Sequence, residues 1–459
     1  MRIFPKIKLI FFLLISSLLI NCIITSDIFN NQESQLKLTT IKSLKEVTSN
    51  LYMINYVNNY YLDYLLKIGN KDVSDLVKFA KLKLGDKYDF NIHKLSKGFA
   101  CSSFNVYNKK NQNLFGRNFD YGSSPTFIVW TQPKKGHKSI SFVHGKFLGL
   151  YDGKEIINDR LLLLPYAPMD GLNEEGLAIS VLLLSNKSTH QNNPNLINIT
   201  TSIMIRGVLD YCENVNETIL FFKKFNMHDT IEGSTYHFMI TDKNGDSAII
   251  EYVDNEIKII RPNMNNKLNY LYVTNFYLSK NTSDGMMGFD RYNILEKNLK
   301  IENVTMEWND AMNLLKEVQM GITIWSNVYN TFELSVVTAY RKDYSNLYKF
   351  NVLEPMKEIL KNQFEPIFDE PEEKQENITN NNHPFTENTP KESNNILNNF
   401  IRYFIYIIIF LVIIIISFYL GIKIKETRNK SANELKDNNF DYINYSNNNK
   451  KKKIELIQL

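Results

Sequence analysis

The sequence predicts an α+β fold built of helix clusters and antiparallel strand pairs, and two observations carry that expectation. Helical periodicity occurs in separate blocks, at Leu36–Phe90, Ser202–Phe225 and Thr305–Met320. Between them lie alternating apolar and polar runs joined by short polar turns, without the regular strand–helix–strand alternation of a doubly wound parallel sheet.

Taken in order, "IKSLKEVTSNLYMINYVNNYYLDYLLKIGN" is spaced as part of two or three helices, with Thr39 or Thr40 as an N-cap and Gly69 as a stop. From Gly98 the pattern turns to strands: "CSSFNVYN" and "LFGRNFDY" flank a polar turn at Lys109–Asn113. The clearest hairpin is "STYHFMITDKNGDSAIIEYVDNEIKII", whose turn at Asp242–Asp246 places Asn244 and Gly245 where positive φ is needed. Strands return at Phe332–Val352. Asp369–Asn399 is rich in Glu, Asn and Pro and almost free of large apolar residues, which predicts a solvated linker.

The chain of 459 residues has 44% hydrophobic and 22% charged residues and a net charge of +4, values of an ordinary globular protein. Its basic residues are dispersed apart from Lys450–Lys453, so the composition gives no nucleic-acid footprint. Arg2, Lys6 and Lys8 precede a short apolar run and small or polar positions near Ser26, the pattern of a secretory signal peptide. A second apolar run, Tyr403–Ile422, holds twenty uncharged residues, enough for a helix to cross a hydrocarbon core of ~30 Å. Lys423, Lys425 and Arg428 follow it, which places the tail in the cytoplasm and predicts a single-pass type I protein of the secretory-pathway membrane, at the cell surface or in endolysosomes. Sequons at Asn186, Asn198, Asn216, Asn281, Asn303 and Asn377 agree with an extracytoplasmic region between the two apolar segments. The expected organisation is a signal peptide (1–26), a helical N-terminal segment (27–100), a catalytic domain (101–365), a linker (366–402), a transmembrane helix (403–422) and a basic tail (423–459).

With the signal peptide removed, only Cys101 and Cys212 remain outside the membrane, too few for a disulfide framework. Cys101 is followed sixteen positions later by Arg117 and nineteen later by Asp120. If the chain is cut before Cys101, the new α-amino group, with an ordinary pKa of about 7.7–8.0, becomes a base beside the thiol. A guanidinium on the neighbouring strand would favour the thiolate, and a carboxylate would hold the amine. On spacing alone three readings stay open: a buried structural cysteine, a disulfide partner of Cys212, or a nucleophile. Arg117 and Asp120 would otherwise be a surface pair.

Five motifs in order decide among them. "CSSF", "GRNFDY", "DGLNEEGLAIS" at Asp170–Ser180, the "STYHFMITDKNGDSAIIEYVDN" hairpin and "YVTNF" at Tyr272–Phe276 resemble the choloylglycine hydrolase family of N-terminal-nucleophile (Ntn) hydrolases. The resemblance covers roughly Gly98–Val352 and implies a four-layer αββα sandwich and hydrolysis of linear, non-peptide amide bonds, by an enzyme that begins at its cysteine. It implies cleavage between Ala100 and Cys101, Cys101 as nucleophile, Arg117 and Asp120 as the residues that tune the thiolate and hold the amine, Asn275 as an oxyanion donor through its side-chain N–H, and Arg291 as a further active-site arginine. Outside the resemblance, Asn275 would be a turn residue and Arg291 a solvated charge opening a helix. Asp170, Asn173 and Gly176 are expected to shape a wall of the pocket.

Two departures from the family pattern bear on substrate. Leu183 stands near the position where bile-salt-cleaving members carry an asparagine, which disfavours a bile-salt substrate. The long segment before Cys101 is similar to the arrangement in acid ceramidase and the acid amidase, where the N-terminal piece remains bound after self-cleavage. A lipid-like N-acyl amide is the expected substrate class. An acyltransferase of the same fold, or a silent receptor or adhesion ectodomain, are the alternatives. His237 reads as a core histidine, and the seven histidines show no metal-ligand spacing, so no metal and no cofactor are expected.

Overall fold

The computed structural model describes residues 31–85, 100–184, 188–230, 233–262, 270–280 and 287–360. The signal peptide, the transmembrane run 403–422 and the tail lie outside the described residues, as do the linker and Asn186, Asn281 and Asn377. Among the described residues no helix is long and apolar enough to cross a membrane.

The chain enters through helix α1 (31–42), strands β1 (Lys45–Thr48) and β2 (Leu51–Tyr56), and helices α2 (Leu62–Ile68) and α3 (Val73–Leu84). Here the structure corrects the sequence reading: Lys45–Tyr56 is a strand pair, not helix. Asn50 takes φ +65°, which closes a tight turn, and the apolar run Leu51–Tyr56 pairs in parallel with a strand beyond residue 100. Burial on a sheet overrides the helical spacing, because apolar runs this short satisfy either period.

Next come β3 (Ala100–Tyr107), β4 (Asn113–Asp120), β5 (Thr126–Thr131), β6 (Ser139–His144), β7 (Asp170–Asn173) and β8 (Ala178–Leu184). Strand β9 (Ile197–Thr200) leads into helices α4 (Thr201–Tyr211) and α5 (Val215–Phe222), followed by β10 (Phe225–His228). Then follow β11 (Thr235–Thr241), β12 (Ser247–Val253), β13 (Glu256–Ile260) and β14 (Tyr272–Val273). Helices α6 (Phe289–Leu299) and α7 (Trp308–Glu317) precede β15 (Thr323–Asn330), β16 (Ser335–Tyr340), β17 (Asp343–Asn351) and β18 (Glu354–Leu360). The β11–β12 hairpin has the expected turn, with positive φ at Gly245 but not at Asn244.

The strands form a nine-stranded sheet, ordered β1-β2-β5-β6-β7-β8-β11-β12-β13, and a seven-stranded sheet, ordered β14-β3-β4-β15-β16-β17-β18, with β9 and β10 paired separately. Within the two large sheets the pairings are antiparallel except β2 with β5. Strand side chains alternate between faces, and this sorts the layers. On β3, Phe104 and Val106 join a core with Leu295, Met312 and Leu315 of α6 and α7, while Cys101 belongs to the other core with Phe115 and Phe119. On β8, Ser180 bonds Ser103 of β3 across the sheets at 3.0 Å, whereas its neighbour Val181 faces α3 and α4. The layers therefore run helices, sheet, sheet, helices, the composition of an α+β fold.

Candidate active site

The β3–β4 register sets the frame. Ala100 lies opposite Asp120, Cys101 opposite Phe119, and Ser103 opposite Arg117. Residues directly opposite share a face, so Cys101 and Arg117 project between the sheets, and Asp120 projects with Ala100 and Ser102 to the helix side. The three-residue step from Arg117 to Asp120 thus brackets the start of β3 from both faces. Gly116 makes the approach possible: a β-carbon there would stand 2.5 Å from the ring of Phe104 on the paired strand.

Cys101 is fully buried, and its thiol and that of Cys212 are both free, so the disulfide alternative falls. Burial pushes the Cys101 thiol up, Arg117 and more weakly Arg291 pull it down, and Asp120 adds to the rise. Cys212, at the end of α4, is pushed up to about 12 mainly by burial. Arg117 is also fully buried rather than a surface charge. Its Nη2 donates to the Val181 carbonyl at 2.6 Å, its Nη1 to the Asn118 carbonyl at 2.9 Å, and its Nε to Asp170 Oδ2 at 3.4 Å.

Asp170, expected to shape a wall of the pocket, is the partner of Arg117. Its two oxygens also receive Trp325 Nε1 at 2.9 Å, Asn327 Nδ2 at 3.1 Å and the Tyr329 hydroxyl, all from β15. Burial raises its pKa, but four donors converge on it, and a carboxyl hydrogen would have to face one of them. The carboxylate is the form this site accepts, and it fixes Arg117. Asn173 closes the β7–β8 turn, accepting the Glu175 and Leu177 amides and donating to the Leu209 and Cys212 carbonyls. Gly176 takes φ +79°, and a β-carbon there would lie 2.4 Å from the Thr331 carbonyl.

On the helix side, Asp120 Oδ1 accepts Thr323 Oγ1 at 2.6 Å, while Oδ2 is buried without a hydrogen-bond donor and lies 3.7 Å from Arg291 Nη1. Burial outweighs Thr323 and both arginines and raises the Asp120 carboxyl to about 6. Arg291 is buried in the first turn of α6, not a solvated charge. It donates to the Cys101 carbonyl at 2.5 Å, Ser102 Oγ at 2.8 Å and Asn275 Oδ1 at 2.8 Å. Strand β14 pairs Val273 with Ser103, so Asn275, two residues on, reaches the level of Cys101. There Asn275 Oδ1 accepts the Cys101 backbone N–H at 2.8 Å, and Asn275 Nδ2 donates to the Leu183 carbonyl at 2.7 Å. One of the two Asn275 amide hydrogens is thus given to the Leu183 carbonyl.

Cys101, Arg117, Asp120, Asn275 and Arg291 therefore converge from two hairpin strands, the end of β14 and the start of α6. Ser102, Thr323, Val181 and the β15 trio, which the sequence reading did not single out, hold them. His237 is buried with both ring nitrogens partnered, by Glu251 at 3.2 Å and the Thr274 carbonyl at 2.8 Å. Of the described sequons, Asn216 and Asn303 are exposed and Asn198 is half-buried in β9, with its Oδ1 accepting from His228 at 2.8 Å.

The model of the linear amide C-N hydrolases, choloylglycine hydrolase family, matches residues 101–288, beginning at the cysteine itself. Over those residues the chain is similar to that family. A penicillin V acylase from Pectobacterium atrosepticum is 33% identical over 197 residues, 38% of this chain and 49% of the relative, so the chain spans about half the length of the curated relative it matches. Among solved structures, a penicillin V acylase from Agrobacterium tumefaciens is 17% identical with TM-score 0.38, covering 55% of this chain and 87% of that one. A mutant conjugated bile acid hydrolase from Clostridium perfringens is 15% identical with TM-score 0.40, covering 57% and 96%. A Caenorhabditis elegans N-acylethanolamine-hydrolyzing acid amidase ortholog is 16% identical with TM-score 0.34, covering 50% and 93%.

Proposed function

We propose that this chain is an Ntn hydrolase of αββα architecture that cleaves itself between Ala100 and Cys101 and then hydrolyses linear N-acyl amides. The observation that carries this reading is the convergence on Cys101 of Arg117, Asp120, Asn275 and Arg291, all buried, in a domain of an amide-hydrolase family. Once cut, the Cys101 nitrogen is an amine and takes the thiol proton. The sulfur attacks the substrate carbonyl carbon, the proton passes to the departing amine, and a thioester remains. Water, activated by the same amine, then releases the carboxylic acid and restores the thiol. Arg117 favours the thiolate by its charge. Asp120 Oδ2, buried without a donor, is an acceptor for the hydrogens of the new amine.

The proposed substrate is a lipid-like N-acyl amide, met at a membrane to which the 403–422 helix tethers a glycosylated, extracytoplasmic domain. Leu183, whose carbonyl meets Asn275, supplies no side-chain donor there, which argues against a bile-salt substrate. Mass spectrometry of the mature protein is expected to find an N-terminus at Cys101, and Cys101→Ala is expected to abolish both the cut and amide hydrolysis. Processing or hydrolysis that survives Cys101→Ala would refute the reading.

A further inference from the structure

Residues 274–279 carry Asn275 beyond the end of β14 and belong to no strand or helix, so their backbone groups need partners elsewhere. Two fully buried residues of the nine-stranded sheet supply them, His237 of β11 and Glu251 of β12. His237 Nε2 meets the Thr274 carbonyl at 2.8 Å, and because a carbonyl only accepts, this nitrogen carries a hydrogen. Glu251 Oε1 accepts the Leu278 amide at 2.9 Å, and Oε2 accepts the Ser279 amide at 3.0 Å and the Ser279 hydroxyl at 2.5 Å. Nδ1 of His237 faces Glu251 Oε1 at 3.2 Å, which ties the two holds together. Burial works to raise the Glu251 carboxyl, but His237 and these donors keep it below the usual carboxylate range.

The proposed mechanism uses neither residue. Buried pairs of this kind are often replaceable by apolar residues of similar volume without loss of stability, so packing is a weak reason for this one. What the pair supplies is direction. It fixes the backbone on both sides of Asn275, at Thr274 and at Leu278 and Ser279, while the Leu183 carbonyl, the Cys101 amide and Arg291 take the Asn275 side chain. His237 pairs with Leu182 of β8, the neighbour of Leu183, so adjacent positions of one sheet hold the backbone and the side chain. Resting on the amide-hydrolase reading, we infer that His237 and Glu251 are positioning residues for Asn275. They act through the 274–279 backbone to keep its oxygen on the Cys101 nitrogen, and so set the rate of the cut and of hydrolysis.

The test uses the full-length protein and its His237→Asn, His237→Gln and Ser279→Ala variants. An Asn amide nitrogen stands near the place of Nδ1 and a Gln amide nitrogen near that of Nε2, so only His237→Gln keeps a donor for the Thr274 carbonyl. On processed protein with a fluorogenic N-acyl aminocoumarin, His237→Asn is expected to lower kcat roughly 10- to 100-fold with KM unchanged, and His237→Gln to recover most of the loss. Intact mass over time is expected to show the cut slowed in the same order. Equal losses in the two variants, or a change in KM alone, overturn the inference, since the bond to Thr274 would then carry no effect of its own. If His237→Asn does not fold, Ser279→Ala, at an exposed position, still removes one donor of Glu251. In an uncut Cys101→Ala background it is expected to speed hydrogen exchange at 274–279 and at 101–103 and not in α4. Unchanged exchange at those two places overturns the inference whatever the activity. Absence of cut and hydrolysis in the wild type overturns the reading beneath it, and the exchange pattern then decides by itself whether the pair holds Asn275.

Discussion

Asn275 donates its side-chain amide to the carbonyl of Leu183, 2.7 Å away, and so presents its oxygen, not its nitrogen, to Cys101. Arg291 Nη2 bonds the same oxygen, which makes the opposite amide orientation a clash of donors. Asn275 is thus an acceptor that holds the Cys101 amide, while its nitrogen, with one hydrogen on Leu183, keeps a second hydrogen. Asn275→Leu removes the acceptor of two buried donors. We expect a loss of roughly 2–4 kcal/mol in stability and no cut at Ala100–Cys101, checked by denaturant midpoint and intact mass.

Asp170 compensates the buried charge of Arg117, the group that favours the thiolate. Asp170→Ala leaves a guanidinium buried without its carboxylate, for which we expect a loss of about 3–5 kcal/mol. Asp170→Asn should cost less, because an amide oxygen still accepts. The alkylation rate of the thiol at fixed pH should fall in Asp170→Asn if Arg117 loses its position, and an unchanged rate would separate the two residues.

The Asp120 carboxyl is raised to about 6 in the folded chain from an ordinary 3.8. A raised pKa means the folded state holds the proton more tightly, so this group's contribution to stability is complete below about pH 3.8 and is lost as pH rises through 6. His144, lowered to about 3 from 6.5 by burial, acts oppositely: its contribution is present above 6.5 and lost as pH falls toward 3. In a Cys101→Ala background, Asp120→Asn should gain stability relative to its parent as pH rises from 4 to 7. Carboxyl NMR titration should show the Asp120 midpoint near 6; a midpoint near 4 would contradict the assignment.

At Gly176 any side chain meets both a left-handed backbone and the Thr331 carbonyl. Gly176→Ala should cost roughly 1–3 kcal/mol by thermal or denaturant melting. The turn carries Asp170 and Val181 on its two strands, so Arg117 should shift with it.

The sequence by itself determined the local parts: the hairpin that sets Arg117 and Asp120 beside Cys101, the β11–β12 turn, helices α4, α5 and α7, and the ordered motifs of a family that begins at its cysteine. These are short-range patterns, in which periodicity and turn chemistry act within a few residues. What only the tertiary structure decided is what crosses between elements. It placed Lys45–Tyr56 in the sheet of the later domain, because burial outweighs helical spacing in a short run. It made Asp170, expected to shape a wall of the pocket, the anchor of Arg117 through three residues of β15, some 155 positions away. It aimed Asn275 by giving one amide hydrogen to Leu183, and it walled an apolar cavity on the helix side of the nine-stranded sheet with helix α3. Pairings over such distances leave no periodic trace in the chain, since each residue's partner is fixed only when the two sheets and their helices close on one another.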